Sequence, residues 1–235
     1  MKTPIIGILG GMGPRATVVF QQRLFGAFEG SDQELPRVIC VNDGNIPDRT
    51  EFLTNNGTDP LQALLSGANI LVDAGVSIIC MPCNTAHAPQ ILGRLQGRLA
   101  LPIVDMPAAT LACAEELSVQ QLLVLATRGT KQSQVYQLRS FGIACKFPDA
   151  EQQLVVDRAI EQIKSGDIDM LDLTELNKII STSKCDAVAL ACTELSLLQS
   201  KIETNDVTII DSMDSLVTAC LKFVSRYNSK KRVSL

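Results

Sequence analysis

Two cysteines stand at the ends of apolar, strand-like runs, and each is followed at once by polar residues. Cys83 lies in Cys80-Met81-Pro82-Cys83-Asn84-Thr85 and Cys192 in Leu190-Ala191-Cys192-Thr193-Glu194. Helical patterns follow both, so each thiol is expected at a helix N-terminus, where the dipole and free N–H groups favour the thiolate. Two thiols with an ordinary pKa of about 8.5 can serve as base and acid on opposite faces of a carbon and exchange roles. Inverting an amino-acid Cα calls for that arrangement, because one proton must leave one face and another must arrive on the other. The carbanion also needs support. Backbone N–H groups in the turn Gly10-Gly11-Met12-Gly13, and at Asn84 and Thr193, suit a substrate carboxylate. The competing reading takes each cysteine as a small buried hydrophobe; their matching positions favour the paired chemistry.

Other uses of these residue types fare less well. Cys80 and Cys83 have C-x-x-C spacing, but alternation along a strand turns Cys80 away from the end that presents Cys83. No second cysteine pair follows at zinc-site spacing, and the chain has one histidine, so no metal is expected. His87 itself reads as a capping or core residue. The glycine run is spaced G-x-x-G-G-x-G, not G-x-G-x-x-G, and lacks the lysine of a phosphate-binding loop, so a nucleotide is not expected.

The 235 residues are 46% hydrophobic and 20% charged, with a net charge of -4. That composition provides a sizeable core and argues against disorder and against a nucleic-acid partner. The basic cluster Lys230-Lys231-Arg232 reads as a solvated tail. The N-terminus does not read as a signal peptide, and no apolar run approaches the roughly 20 residues that span a bilayer. With eight cysteines, several inside apolar runs, the expectation is a reducing, cytoplasmic setting with free thiols and no membrane.

The elements that must position these groups alternate between strand and helix. Strands are expected at 5–9, 38–41, 77–81 and 102–104, then again at 121–126, 187–191 and 207–210. Helices are expected at 15–28, 61–74, 86–95, 132–141, 154–165, 173–183 and 216–227. Such alternation implies an α/β fold with parallel sheets covered by helices, and sites beyond the carboxyl ends of strands. A weak internal echo, a Gly- or Thr-rich turn followed later by a strand ending in Cys, predicts two pseudo-symmetric lobes with the site in the cleft between them. The expected division is 1–104 plus a C-terminal helix at about 212–228 for one lobe, and 105–211 for the other.

Five segments carry a resemblance: Gly7-Ile8-Leu9-Gly10-Gly11-Met12-Gly13-Pro14, Pro47-Asp48-Arg49-Thr50, Met81-Pro82-Cys83-Asn84-Thr85-Ala86-His87, Ala126-Thr127-Arg128-Gly129-Thr130 and Ala191-Cys192-Thr193-Glu194-Leu195. Together, in this order, they resemble the aspartate/glutamate racemase family over about residues 5–211. The resemblance implies Cys83 and Cys192 as catalytic thiols, no pyridoxal phosphate or metal, and a homodimer. It implies that Asn84, Thr85 and Thr193 hold the α-carboxylate, with Met12 and Thr127 also lining the site. Arg49 and Lys164 would meet a side-chain carboxylate. Glutamate racemases usually carry His after the second Cys-Thr, whereas this chain has Glu194, which favours an aspartate-type or broad-specificity enzyme. Asp48, Glu194 and Gly11 are candidate supporting residues.

Each assignment has a plainer rival. Lys164 could be a solvated lysine on an amphipathic helix, and Asp48 and Arg49 could form a loop salt bridge. Arg49 is preferred as a carboxylate reader because its planar fork makes two hydrogen bonds. The function expected is amino-acid racemisation with an acidic substrate, aspartate first, then glutamate or a broader set. A dicarboxylic-acid isomerase or decarboxylase of the same superfamily, and a non-catalytic amino-acid-binding protein, are the alternatives.

Overall fold

A computed structural model describes residues 4–166, 168, 171–203 and 207–233, apart from the side chains of 228–233. The Lys230-Lys231-Arg232 side chains therefore lie outside the described set. Among the described residues, eight strands form two parallel sheets of four. Strands β1 (Ile6–Gly10), β2 (Val38–Asn42), β3 (Ile78–Cys80) and β4 (Ile103–Val104) give the order β2-β1-β3-β4. Strands β5 (Gln121–Leu125), β6 (Ala144–Lys146), β7 (Ala187–Leu190) and β8 (Thr208–Asp211) repeat it as β6-β5-β7-β8. The echo in the sequence is thus a repeat of topology: Cys83 follows β3, and Cys192 follows its counterpart β7.

Helices cover the sheets: α1 (Pro14–Gly26), α2 (Arg49–Asn55), α3 (Leu61–Asp73), α4 (Pro89–Gln96) and α5 (Met106–Glu116) belong to the first stretch of chain. They are followed by α6 (Arg128–Gln132), α7 (Ala150–Ser165), α8 (Thr174–Thr182) and α9 (Ser212–Val233). Because successive strand residues point to opposite faces, β1 sends Ile6 and Ile8 toward Phe20 and Leu24 of α1 and Leu216 and Cys220 of α9, and Leu9 the other way, toward α3. Strand β5 divides likewise, with Leu123 and Leu125 facing α7 and α8. Leu122 and Val124 join Leu64, Ile79 and Ile91 in one apolar cluster shared by both halves. Each such fully buried side chain contributes about 1.5–3 kcal/mol, so the halves are joined by core and not by a linker. Among the described residues, no helix is long and apolar enough to cross a membrane.

Several expectations need correction. The helix expected at 132–141 is instead the short α6 followed by turns through 139, since Gln134 takes a left-handed φ of 55° that ends the helix. The helix expected at 86–95 is broken: Pro89 holds Ala88 extended, which leaves one 3-10 turn at Thr85–His87 ahead of α4. Helix α5 was not foreseen because it is apolar nearly all round, α2 because it has seven residues, and β6 because it is a three-residue, half-exposed edge strand.

Candidate active site

The carboxyl ends of the strands of both sheets meet around a narrow cavity. Its walls bring together Met12, Asp48, Arg49, Cys83, Asn84, Thr85, Thr127, Lys164, Cys192, Thr193 and Glu194, all singled out in the sequence. Thr50, which the sequence reading passed over although it closes the Pro47-Asp48-Arg49-Thr50 segment, lines it too. The free space is about 20 Å³, room for about one water. It shares Met12, Asp48, Arg49, Lys164 and Glu194 with a vestibule of about 500 Å³, which is within the range of small-molecule sites. Gly11 lines the vestibule and not the inner cavity.

Neither thiol heads an α-helix, contrary to expectation. Cys83 precedes the single 3-10 turn at Thr85–His87, and Cys192 precedes a 3-10 segment at Leu195–Lys201. Such short turns sum little dipole, so the electrostatics of the thiols come from side chains. Cys192 Sγ donates to Glu194 Oε2 at 3.0 Å, and Thr193 Oγ1 donates to the same oxygen at 3.3 Å. Burial, then the charge of Glu194 and this hydrogen bond, push the Cys192 thiol well above its ordinary pKa, partly opposed by Lys164. Lys164 sits on the last turn of α7. Desolvation would lower its pKa, but Cys192, Glu194 and Asp48 outweigh that and raise it. Its Nζ lies 3.9 Å from Asp48 Oδ2, a half-exposed pair that joins the two halves across the cleft.

The Cys83 corner is built from neutral groups. His87, wholly buried, has Nδ1 at 2.8 Å from the Cys83 carbonyl oxygen, while its Nε2 is 3.3 Å from the Met106 N–H. Nε2 also lies 3.1 Å from the Val104 carbonyl oxygen, so either ring nitrogen has a backbone carbonyl to donate to, and burial lowers the pKa of the ring. His87 therefore holds the Cys83 backbone and does not line the cavity. Asn84 accepts at Oδ1 from Tyr136 Oη at 2.7 Å and donates from Nδ2 to Ser212 Oγ at 2.9 Å, and Ser212 Oγ donates to the Leu190 carbonyl at 2.7 Å. The Thr85, Thr127 and Thr130 hydroxyls lie within 2.9–3.2 Å of one another and so tie the two halves together. Thr130 fell within a quoted segment; Tyr136 and Ser212 carried no signal in the sequence.

The glycine turn works by closeness. Gly11 has φ +97°, and any side chain there would collide with the Asp43 backbone. Its N–H is already taken by Thr17 Oγ1 at 3.1 Å, so that donor is not open to a substrate carboxylate, as the sequence reading had supposed. A Cβ at Gly13 would lie 2.9 Å from Glu194 Oε1, so the first glycine loop seats the carboxylate that holds Cys192.

Arg49 is buried, with its fork largely committed. Nη1 donates to the Ile46 and Pro47 carbonyls at 3.1 and 2.9 Å, and Nη2 to the Met12 carbonyl at 2.9 Å. Nε is buried without a protein partner, so the Nε–H and the second Nη2–H are the donors left over. Among the described residues, no cluster of three or more His, Cys, Asp or Glu could hold a metal ion.

Comparison with known proteins gives a consistent result. The family model described as Asp/Glu/Hydantoin racemase matches residues 9–220. A glutamate racemase from Shewanella sp. (strain MR-4) is 28% identical over 182 residues, covering 73% of this chain and 66% of the relative, so the match spans just under two thirds of that protein's length. A broad specificity amino-acid racemase from Bacillus subtilis (strain 168) is 29% identical over 96% of this chain and 100% of its own. The solved Picrophilus torridus aspartate racemase superposes with a TM-score of 0.83 at 31% identity, over 94% of each chain. With matched thiol corners on two sheets of one strand order, the chain belongs to the Asp/Glu/hydantoin racemase family, a family of isomerases.

Proposed function

We propose that this protein is a cofactor-independent aspartate racemase that moves the Cα proton between Cys83 and Cys192. The observation that carries the reading is the position of the two thiols, which come from equivalent strand ends of the two sheets and line one cavity. One thiolate removes the Cα proton; the electron pair is held in the carboxylate as an enediolate-like carbanion; the other thiol gives its proton to the opposite face. The Asn84 Nδ2 hydrogen not used by Ser212, with the Thr85 hydroxyl, provides donors for the α-carboxylate, and Thr193, whose hydroxyl donates to Glu194, lines the site beside them. The two unused Arg49 hydrogens and the cationic Lys164 favour an acidic side chain. Glu194 keeps Cys192 protonated at rest, so Cys192 is the acid of the first half-reaction and must lose its proton to act as the base of the reverse one. A reducing cytoplasm, which keeps Cys83 and Cys192 free, and a homodimer complete the reading.

The free space around the thiols is smaller than an amino acid. Turnover therefore includes an opening of the cleft from the vestibule side, which separates Asp48 from Lys164. Incubation with L-aspartate in heavy water is expected to place deuterium on Cα and to accumulate D-aspartate, with glutamate and neutral amino acids as the comparison panel. Exchange with glutamate or with many amino acids alone would replace aspartate by that substrate class. Absence of exchange with every amino acid tried would end the racemase reading.

A further inference from the structure

A second pair of thiols lies outside the cavity. Cys80, the last residue of β3, and Cys220, on α9, place their Sγ atoms 2.7 Å apart, and both are wholly buried. Non-bonded atoms of carbon size and larger rest at about 3.5–4.0 Å, so the two sulfurs are inside ordinary contact distance. A disulfide needs about 2.05 Å, so the two sulfurs stand less than about 1 Å beyond bonding distance. The juxtaposition follows from the packing of the helix: Met213, Leu216, Val217 and Cys220 form the stripe of α9 that faces Ile6, Ile8, Ile78 and Cys80 of the first sheet. Alternation along β3 and helical spacing along α9 thus aim the two cysteines at one another.

We propose that Cys80 and Cys220 are the sites of a reversible disulfide that pins α9 to the first sheet. The oxidant is a low-molecular-weight disulfide of the glutathione class. One cysteine thiolate attacks the small disulfide, forming a mixed disulfide and releasing one small thiol. The second cysteine attacks the protein sulfur of that mixed disulfide, forming the Cys80–Cys220 bond and releasing the second small thiol. Two protein thiols are oxidised and one small disulfide is reduced to two thiols. Because both sulfurs are buried, the exchange proceeds when α9 lifts from the sheet or before it docks. Hydrogen bonding to Cys220, together with burial, holds Cys80 in its thiol form, which slows the native-state reaction without changing its end point.

The location gives the bond a consequence. Cys80 is three residues from Cys83, and α9 begins at Ser212, which accepts from Asn84. The cross-link therefore joins the two elements that brace the Cys83 corner while leaving the cavity lining untouched. It also closes a loop of 140 residues, and long loops gain most from such closure in the chain-entropy account.

The test is to unfold the full chain, refold it in a buffer of reduced and oxidised glutathione, alkylate free thiols and map the peptides, with fragmentation that separates Cys80 from Cys83. A Cys80–Cys220 link is expected, with Cys83 and Cys192 alkylated, and with Tm raised on the order of 10 °C over the reduced protein. The Cys220→Ala variant is expected to show no link at Cys80 and no redox dependence of Tm. Recovery of Cys80 and Cys220 both alkylated in the refolded wild type, or either of them linked to another cysteine, would overturn the proposal. The mapping of the wild type decides the matter even if the variant folds poorly.

Discussion

The corners around Cys83 and Cys192 occupy the same place in two sheets of the same strand order, but they differ in chemistry. At Cys83 the neighbours are neutral and fixed in orientation: His87 on the backbone carbonyl, and Tyr136 and Ser212 on the two ends of the Asn84 amide. At Cys192 they are charged. Glu194 takes the thiol hydrogen, and Lys164 acts on both from the rim. Topological repetition supplied two equivalent sites for a thiol, and the local sequence then set a hydrogen-bonded amide beside one and a carboxylate beside the other. The difference teaches that symmetry of fold does not carry symmetry of charge: one carboxylate two residues from Cys192 is enough to separate the corners.

The largest test asks whether both corners are needed at all. Cys83→Ala and Cys192→Ala are each expected to lower racemisation in both directions by at least about 10²–10⁴-fold, the usual contribution of a positioned acid or base. Polarimetry from each pure enantiomer measures it. A single variant that keeps a tenth of the wild-type rate would make the corners unequal in necessity and not only in chemistry.

A smaller effect is expected at the charged corner. Burial and Glu194 both raise the Cys192 thiol, so the direction that uses Cys192 as base should gain rate with pH into a more alkaline range than an unperturbed thiol would. Glu194→Gln removes the negative charge, stabilises the thiolate relative to the thiol, and should shift that rise to lower pH, raising kcat at neutral pH where Cys192 is the base and lowering it about tenfold where Cys192 is the acid. The pH profiles of kcat for the two enantiomers provide the readout, because the equilibrium constant of one holds kcat/KM equal in both directions. Profiles that coincide in the wild type and do not move in the variant would dissolve the distinction between the corners.

The smallest effect is expected at the neutral corner. Burial pushes the Tyr136 hydroxyl far above its ordinary pKa, so it remains a donor to Asn84 at every working pH. Tyr136→Phe keeps the ring and removes that donor, leaving the amide free to turn over. A lost hydrogen bond of about 1–1.5 kcal/mol corresponds to a rise in KM approaching tenfold, with kcat and its pH profile little changed. Steady-state kinetics with aspartate would show it. An unchanged KM would mean that Ser212 alone orients the amide.

Much of this architecture was legible in the sequence. Continuous apolar runs such as Ile6–Gly10 and Ala187–Leu190 mark buried parallel strands, because strands covered on both faces cannot alternate with polar residues. The cavity-lining residues were legible for a related reason: they cluster in short segments at strand ends, where spacing along the chain and proximity in space agree. Less legible were features set by contacts between distant segments. Helix α5 shows no amphipathic pattern because its exposed side carries Ala108 and Ala112 ahead of Glu115, and the 132–141 region turns inward at Tyr136 instead of continuing as a helix.

The sequence by itself determined the two sheets, the matching strand ends and the identity of the two thiols, since each is written in local hydrophobic pattern and nearby motif. Only the tertiary structure decided what surrounds those thiols. Tyr136 reaches Asn84 from 52 residues away and Ser212 reaches it from 128, while Gly13 lies against Glu194 across the cleft. Hydrogen bonds and steric contacts act over a few ångströms of space regardless of separation along the chain. The orientation of Asn84, the raised thiol of Cys192 and the pairing of Cys80 with Cys220 therefore exist only once the two halves have closed on each other.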